Sequence, residues 1–241
     1  MPTVIPFAFP GVQNVRVAFT TALGGADRGN ISYSVPGDPA AVYANRISLQ
    51  ERLGFAGWCS LKQIHGDRMV FDPQPVAPQD SPATEADGSA TSIPGRALAV
   101  TTADCQPILL AHESGRFVAG LHVGWRGNVL EFPQKGVAAF CAHYGLKPRE
   151  VLAVRGPSLG PADSQFTNFD TEFGERFREF FDPGNRTVNL WRLATAQLCS
   201  AGLLPERIFG LDLCTYSLTA FHSYRRDKAM SGRQASLIWI A

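Results

Sequence analysis

The chain has almost no net charge: 22 Lys and Arg against 21 Asp and Glu leave +1 over 241 residues. Its basic residues form no run longer than Arg225-Arg226. A nucleic-acid or anionic-membrane surface needs concentrated positive charge, so neither partner is expected and small molecules are. No apolar run approaches the roughly 20 residues that a spanning helix requires. Met1 to Pro10 contains no basic residue and is broken by Pro2, Pro6 and Pro10, which leaves neither the charged nor the apolar part of a secretory signal. The five cysteines are odd in number and scattered, in a chain long enough to bury a core without staples; reduced thiols and a cytoplasmic location are expected. There is no internal repeat, and the Pro- and Gln-rich stretch 72–84 reads as a loop within one domain spanning 1–241.

What the chain does have is a concentrated apolar centre. Ala97 to Val100, Ile108 to Ala111 and Phe117 to Val123 are short aliphatic runs bounded by turn residues, as strands of a buried sheet should be. Val15 to Thr20, Val151 to Val154, Thr187 to Leu190, Ile208 to Leu211 and Ala235 to Ile240 add further strands. Asp38-Pro39 caps a helix that Gly54 stops, giving Pro39 to Leu53. Pro133 to His143 and Leu193 to Ala201 read as two more helices, and Phe173, Phe177 and Phe180 as one face of another. Leu61 to His65 reads as a strand returned by Arg68 to Phe71 in a hairpin. Strands and helices alternate only loosely, so the fold expected is α/β of the mixed α+β kind, a mixed sheet flanked by helices.

Reactive side chains interrupt this pattern at strand ends. His65, Cys105 and His122 each precede a turn, and two imidazoles with a thiolate make a zinc set with the fourth position open. Separations of forty and seventeen residues carry little signal alone, and a buried cysteine often serves only as a small hydrophobe. Arg46 falls on the apolar stripe of the first helix, where it either lets its stem snorkel or pairs with a carboxylate, or else binds a substrate anion. Gly124-Trp125-Arg126-Gly127 opens a helix; its amides and arginine suit an anion, and its glycines equally suit a tight turn.

Several motifs in fixed order resemble one family. Lys62-Gln63-Ile64-His65, Thr102-Ala103-Asp104-Cys105 with Pro107, and His122 to Gly127 are similar to those of the YfiH, or laccase-domain (DUF152), proteins. The similarity continues through Gly156 to Pro161, Cys214-Thr215-Tyr216, Phe221 to Arg226 and Gly232-Arg233. Two departures are Val123, where many members have alanine, and Ala162-Asp163, where a cysteine is common. The resemblance implies a single α/β domain with zinc on His65, Cys105 and His122. It also implies a purine nucleoside phosphorylase that accepts adenosine, inosine, guanosine and methylthioadenosine, and that deaminates adenosine through zinc-activated water attacking C6.

On that reading Asp104 orients the site or transfers a proton, Gln63 hydrogen-bonds substrate, and Arg126 or Arg46 holds phosphate. Arg225, Arg226 and Arg233 are expected in structural ion pairs, while His222 has no assigned role. Partners are then nucleosides and phosphate, with monomer and homodimer both open. Three rivals stand beside this one. A metal-free hydrolase would use Cys105 as nucleophile and His122 as base on an amide such as a peptidoglycan precursor. Copper polyphenol oxidation, invoked in older family naming, needs more imidazoles than the five present. A structural zinc would need a fourth ligand from Cys59 or Cys214.

Overall fold

Strands that are apolar on both faces need cover on both faces, and two stacked sheets with outer helices provide it. The computed structural model describes all residues, 1–241. Its strands are β1 (Pro2–Phe7), β2 (Val15–Gly24), β3 (Gly57–Ser60), β4 (Met69–Phe71), β5 (Gly88–Thr91), β6 (Arg96–Thr102), β7 (Gln106–His112), β8 (Val118–Val123), β9 (Val151–Arg155), β10 (Phe181–Asp182), β11 (Thr187–Val188), β12 (Ile208–Gly210) and β13 (Gln234–Ile240). The helices are α1 (Pro39–Leu53), α2 (Trp125–Val129), α3 (Phe132–Tyr144), α4 (Phe169–Glu172), α5 (Leu190–Ser200) and α6 (Tyr224–Asp227). A five-stranded sheet runs β1-β2-β13-β6-β3 and a six-stranded one β12-β9-β7-β8-β5-β4, with β10 and β11 forming a separate ribbon. Both large sheets mix parallel and antiparallel pairs, as expected for a mixed α/β fold.

The period of two sorts each strand's residues between layers. Leu98 and Val100 of β6 meet Leu109 and Ala111 of β7 and Ile238 and Ile240 of β13 in the core between the sheets. Their alternates Ala97, Ala99 and Leu237 face Leu49 of α1. On the other side Ile108, Leu110 and Leu121 pack on Phe132, Val137 and Phe140 of α3 and Leu198 of α5. Gly136 lets α3 approach closely, since a Cβ there would lie 2.9 Å from Leu121. Fully buried leucines of this kind contribute about 1.5–3 kcal/mol each.

Four local expectations change in three dimensions. The three central runs do not share a sheet: β6 lies in the five-stranded one, β7 and β8 in the six-stranded one. Met69–Phe71 does not return as a hairpin but pairs in parallel with β5, and the Leu61–His65 segment forms only an isolated bridge at Lys62. The Phe173–Phe180 helix is interrupted at Gly174 (φ 83°), leaving α4 and a 3-10 turn over Glu175–Phe180. The phenylalanines are buried together all the same, because burial needs a shared side and not a continuous helix.

Candidate metal centre

The chain crosses from one sheet to the other in three residues, Ala103 to Cys105, between β6 and β7. So short a crossing forces Asp104 to φ 94°, a conformation held only where its surroundings over-determine it. They do: Asp104 Oδ1 accepts the Thr215 hydroxyl at 2.7 Å and Oδ2 accepts the Arg225 amide at 2.6 Å. Cys105 is thereby fixed, partly exposed, facing His122 on β8 and His65 in the segment before β4. The donor atoms of His65, Cys105 and His122 all lie within 4.8 Å of one another. Cys105 Sγ is 3.8 Å from His65 Nε2, and the two imidazole centroids are 4.9 Å apart.

One carboxylate that sequence reading missed organises two of these groups. Asp87, just before β5, is 2% exposed. It accepts His122 Nδ1 at 2.7 Å and the amides of Ile64, His65 and Gly66 at 3.2, 2.9 and 2.7 Å. These bonds orient the His122 ring and hold His65 at φ 61°. Burial alone would raise the Asp87 pKa, but the bonds from His122, Gly66 and His65 outweigh it and leave it lowered. Its only sequence signal is an acidic residue opening a strand of small residues, Asp87-Gly88-Ser89-Ala90.

The same balance acts on the ligands. Burial pushes the Cys105 thiol up, yet the His122 charge and hydrogen bonds from both histidines bring it down to about 6. Burial pushes His122 down, and the Cys105 thiolate with Asp87 overcomes this and raises it. A deprotonated sulfur and two imidazoles suit a borderline-soft ion such as zinc. A side chain on Gly124 would intrude, its Cβ falling 3.0 Å from Cys105 Sγ and 3.1 Å from the His65 ring.

The group lines a cleft of about 870 Å³ together with Trp125, Arg126, Phe166, Glu172, Arg225 and Arg233. Arg126 is exposed, with its guanidinium 4.3 Å from the Trp125 ring centroid. Arg46 also lines the cleft but is 3% exposed and donates to the carbonyls of Ile31, Pro78 and Asp80 at 2.8–3.2 Å. It pins loops together, a role outside the two weighed from sequence. Gln63 is engaged likewise: its Nε2 donates to Thr101 O at 2.7 Å and its Oε1 accepts the Thr101 amide at 2.8 Å, docking this segment on β6. Of the three C-terminal arginines, Arg226 makes the expected ion pair, with Asp227 at 2.8 Å. Arg225 instead donates to Gln165 O, and Arg233 to the carbonyls of Ser231 and Gly232. Cys59 is fully buried against Pro73 O, and Cys214 donates to Asp163; neither joins the three-ligand group.

Known proteins share this architecture. A crystal structure of a Neisseria meningitidis protein of the DUF152 family superposes with a TM-score of 0.84 at 31% identity, covering 98% of both chains. A purine nucleoside phosphorylase of Pseudomonas aeruginosa is 35% identical over 96% of both chains. The purine nucleoside phosphorylase YfiH of Escherichia coli is 32% identical along the full length of each. The model of the multi-copper polyphenol oxidoreductase laccase family matches residues 16–241. With its sequence motifs, its two-sheet fold and its relatives in agreement, the chain belongs to this laccase-domain family, which includes the YfiH proteins.

Proposed function

We propose that residues 1–241 act as one domain, a zinc-dependent purine nucleoside phosphorylase taking adenosine, inosine, guanosine and methylthioadenosine, with adenosine deamination as a side reaction. The observation that carries this is the His65–Cys105–His122 set at one cleft with an exposed arginine and an aromatic wall. The relatives' names supply the reaction class. Phosphorolysis joins a phosphate oxygen to the sugar C1′ as the bond to base N9 breaks, giving a sugar 1-phosphate and a free purine. Arg126 pairs with the phosphate, and Trp125 offers its ring to the nucleoside. Asp87 fixes the His122 ring, and Asp104 fixes the crossing that presents Cys105. A zinc ion on the three ligands supplies a Lewis acid within the cleft. Arg46 and Gln63 have backbone partners and serve this scheme by shaping the cleft wall. Free thiols in all five cysteines fit a reducing compartment such as the cytoplasm.

Purified protein given inosine should release hypoxanthine only with phosphate present, and Arg126→Ala should raise the KM for phosphate by about tenfold. Equal release without phosphate would overturn the reading. The lowered Cys105 thiol beside His122 favours, as a second reading, the metal-free cysteine hydrolase acting on an amide. Elemental analysis separates the two, since a stoichiometric metal on the thiolate removes the nucleophile. Copper oxidation fits poorly, because one three-ligand group cannot serve four coppers.

A further inference from the structure

The cleft holds a cation without a counter-ion. Arg233, the residue before β13, lines the cleft, and the negative groups that act on its charge, Cys105, Asp104 and Tyr224, line it too. Arg226 has an ion-pair partner in Asp227; Arg233 has none. Asp104 does not serve, because its Oδ1 is taken by the Thr215 hydroxyl and its Oδ2 by the Arg225 amide. Burial is the largest influence on the Arg233 pKa and lowers it, so the guanidinium is partly stripped of water. A cation in that state calls for an anion.

The side chain is also held in place. The Arg233 amide donates to Asn30 Oδ1 at 3.0 Å, and its carbonyl accepts the Ile31 amide at 3.2 Å. Nη1 donates to the carbonyls of Ser231 and Gly232 at 3.0 and 2.9 Å. Nε and Nη2 donate to no group of the chain and, unlike the enclosed Nε of Arg155, are not shut away from solvent. Together they form one edge of the planar fork, the edge that grips two oxygens of an oxyanion at once. With Nη1 already anchored, little freedom is lost when that edge binds. Of the two substrates of a phosphorolysis, only phosphate offers paired charged oxygens, the nucleoside being neutral. Cys105 is the neighbour of Arg233, so an anion on this edge lies on the side of the three-ligand group, whereas Arg126 stands exposed over Trp125.

We propose that Arg233 is a phosphate-binding residue, gripping two oxygens of inorganic phosphate through Nε and Nη2 on the side of the cleft that carries Cys105. The proposal rests on the phosphorylase reading.

The test titrates inorganic phosphate into the purified protein by calorimetry, with no nucleoside present. Arg233→Gln removes the charge and the fork, and Arg233→Lys keeps the charge alone. Phosphate affinity should fall about ten- to a hundredfold in Arg233→Gln and by a smaller factor in Arg233→Lys. In turnover of inosine the KM for phosphate should rise in step, with the KM for inosine within about twofold of wild type. Guanidinium ion at non-denaturing concentration should restore phosphate affinity to Arg233→Ala, which it would not do for a merely structural side chain. Phosphate affinity equal in wild type and both variants overturns the proposal. So does loss of metal with phosphate affinity unchanged, which would make Arg233 a prop for the Cys105 thiolate. Should Arg233→Gln fail to fold, Arg233→Lys decides by the same two readings. Phosphate binding that depends on Arg233, in a protein that turns over no nucleoside, refutes the phosphorylase reading and leaves the anion site standing.

Discussion

His122 and His222 are equally buried, 3% and 2% exposed, yet their surroundings treat them in opposite ways. His122 has Asp87 at 2.7 Å on Nδ1 and a thiolate beside it, and its pKa is raised. His222, in the C-terminal motif, has no hydrogen-bond partner on either ring nitrogen. Burial is the largest influence on it, the charges of Arg28 and Arg233 press the same way, and its pKa falls to about 4. Burial removes water from both rings, so neighbouring groups decide which of them carries a proton. His122, bonded to a carboxylate and beside a thiolate, belongs to a group that could hold a metal ion, whereas the unbonded His222 ring packs against Gly232.

The comparison breaks most completely at Cys105. Cys105→Ala removes the sulfur from the three-donor group, and it should abolish metal binding by elemental analysis and nucleoside turnover by assay. A variant that retains stoichiometric metal would remove Cys105 from the ligand set. Asp87→Asn brings His122 closer to the state of His222. Metal affinity, measured by competition with a chromophoric chelator, should fall about 10- to 100-fold. The amides of Ile64, His65 and Gly66 lose their carboxylate as well, so thermal stability should drop even in chelator-treated protein.

The other side of the comparison is sharpened by acid. The folded pKa of His222 lies below its unfolded value of 6.5, so the unfolded chain binds the extra proton. Stability is intact above pH 6.5 and declines as pH falls towards about 4, by up to about 3 kcal/mol from this group. Denaturant melts of wild type and His222→Gln across this window should show a flatter acid limb in the variant. The smallest effect is steric. Each histidine site has a glycine against it, and Gly232→Ala puts a Cβ 2.6 Å from the His222 ring. Overpacking there should cost about 1–3 kcal/mol, with metal content unchanged; loss of metal in this variant would tie the two regions together.

Helix α1 was legible because its signals are local: Asp38 accepts from the Ala40 amide, and Gly54 stops the helix at φ 73°. The central strands were legible from their apolar runs, Cys105 and His122 from their places at strand ends, and all three of His65, Cys105 and His122 from the family motifs; the strand expected to end at His65 forms only a bridge at Lys62. Arg46 was weighed between a snorkelling or carboxylate-paired side chain and an anion contact, and Gln63 was read as a substrate contact, because sequence carries no sign of the backbone groups each finds. Arg225 and Arg233 were expected in ion pairs for the same reason, a charge being visible in sequence and its partner not.

The sequence by itself determined the central strands and helix α1, that the central strands are buried, and, through its motifs, which three side chains are candidates to bind a metal. Those are properties of a residue and its near neighbours. Only the tertiary structure decided that β6 and β7 belong to different sheets, so that Asp104 and Cys105 lie on a crossing between them. It also decided that Asp87 joins the segments carrying His65 and His122, and that Arg233 lines the same cleft. The physical reason is that strand pairing and hydrogen bonding to a buried carboxylate act between residues far apart in sequence, and no local pattern encodes which of the available partners is met.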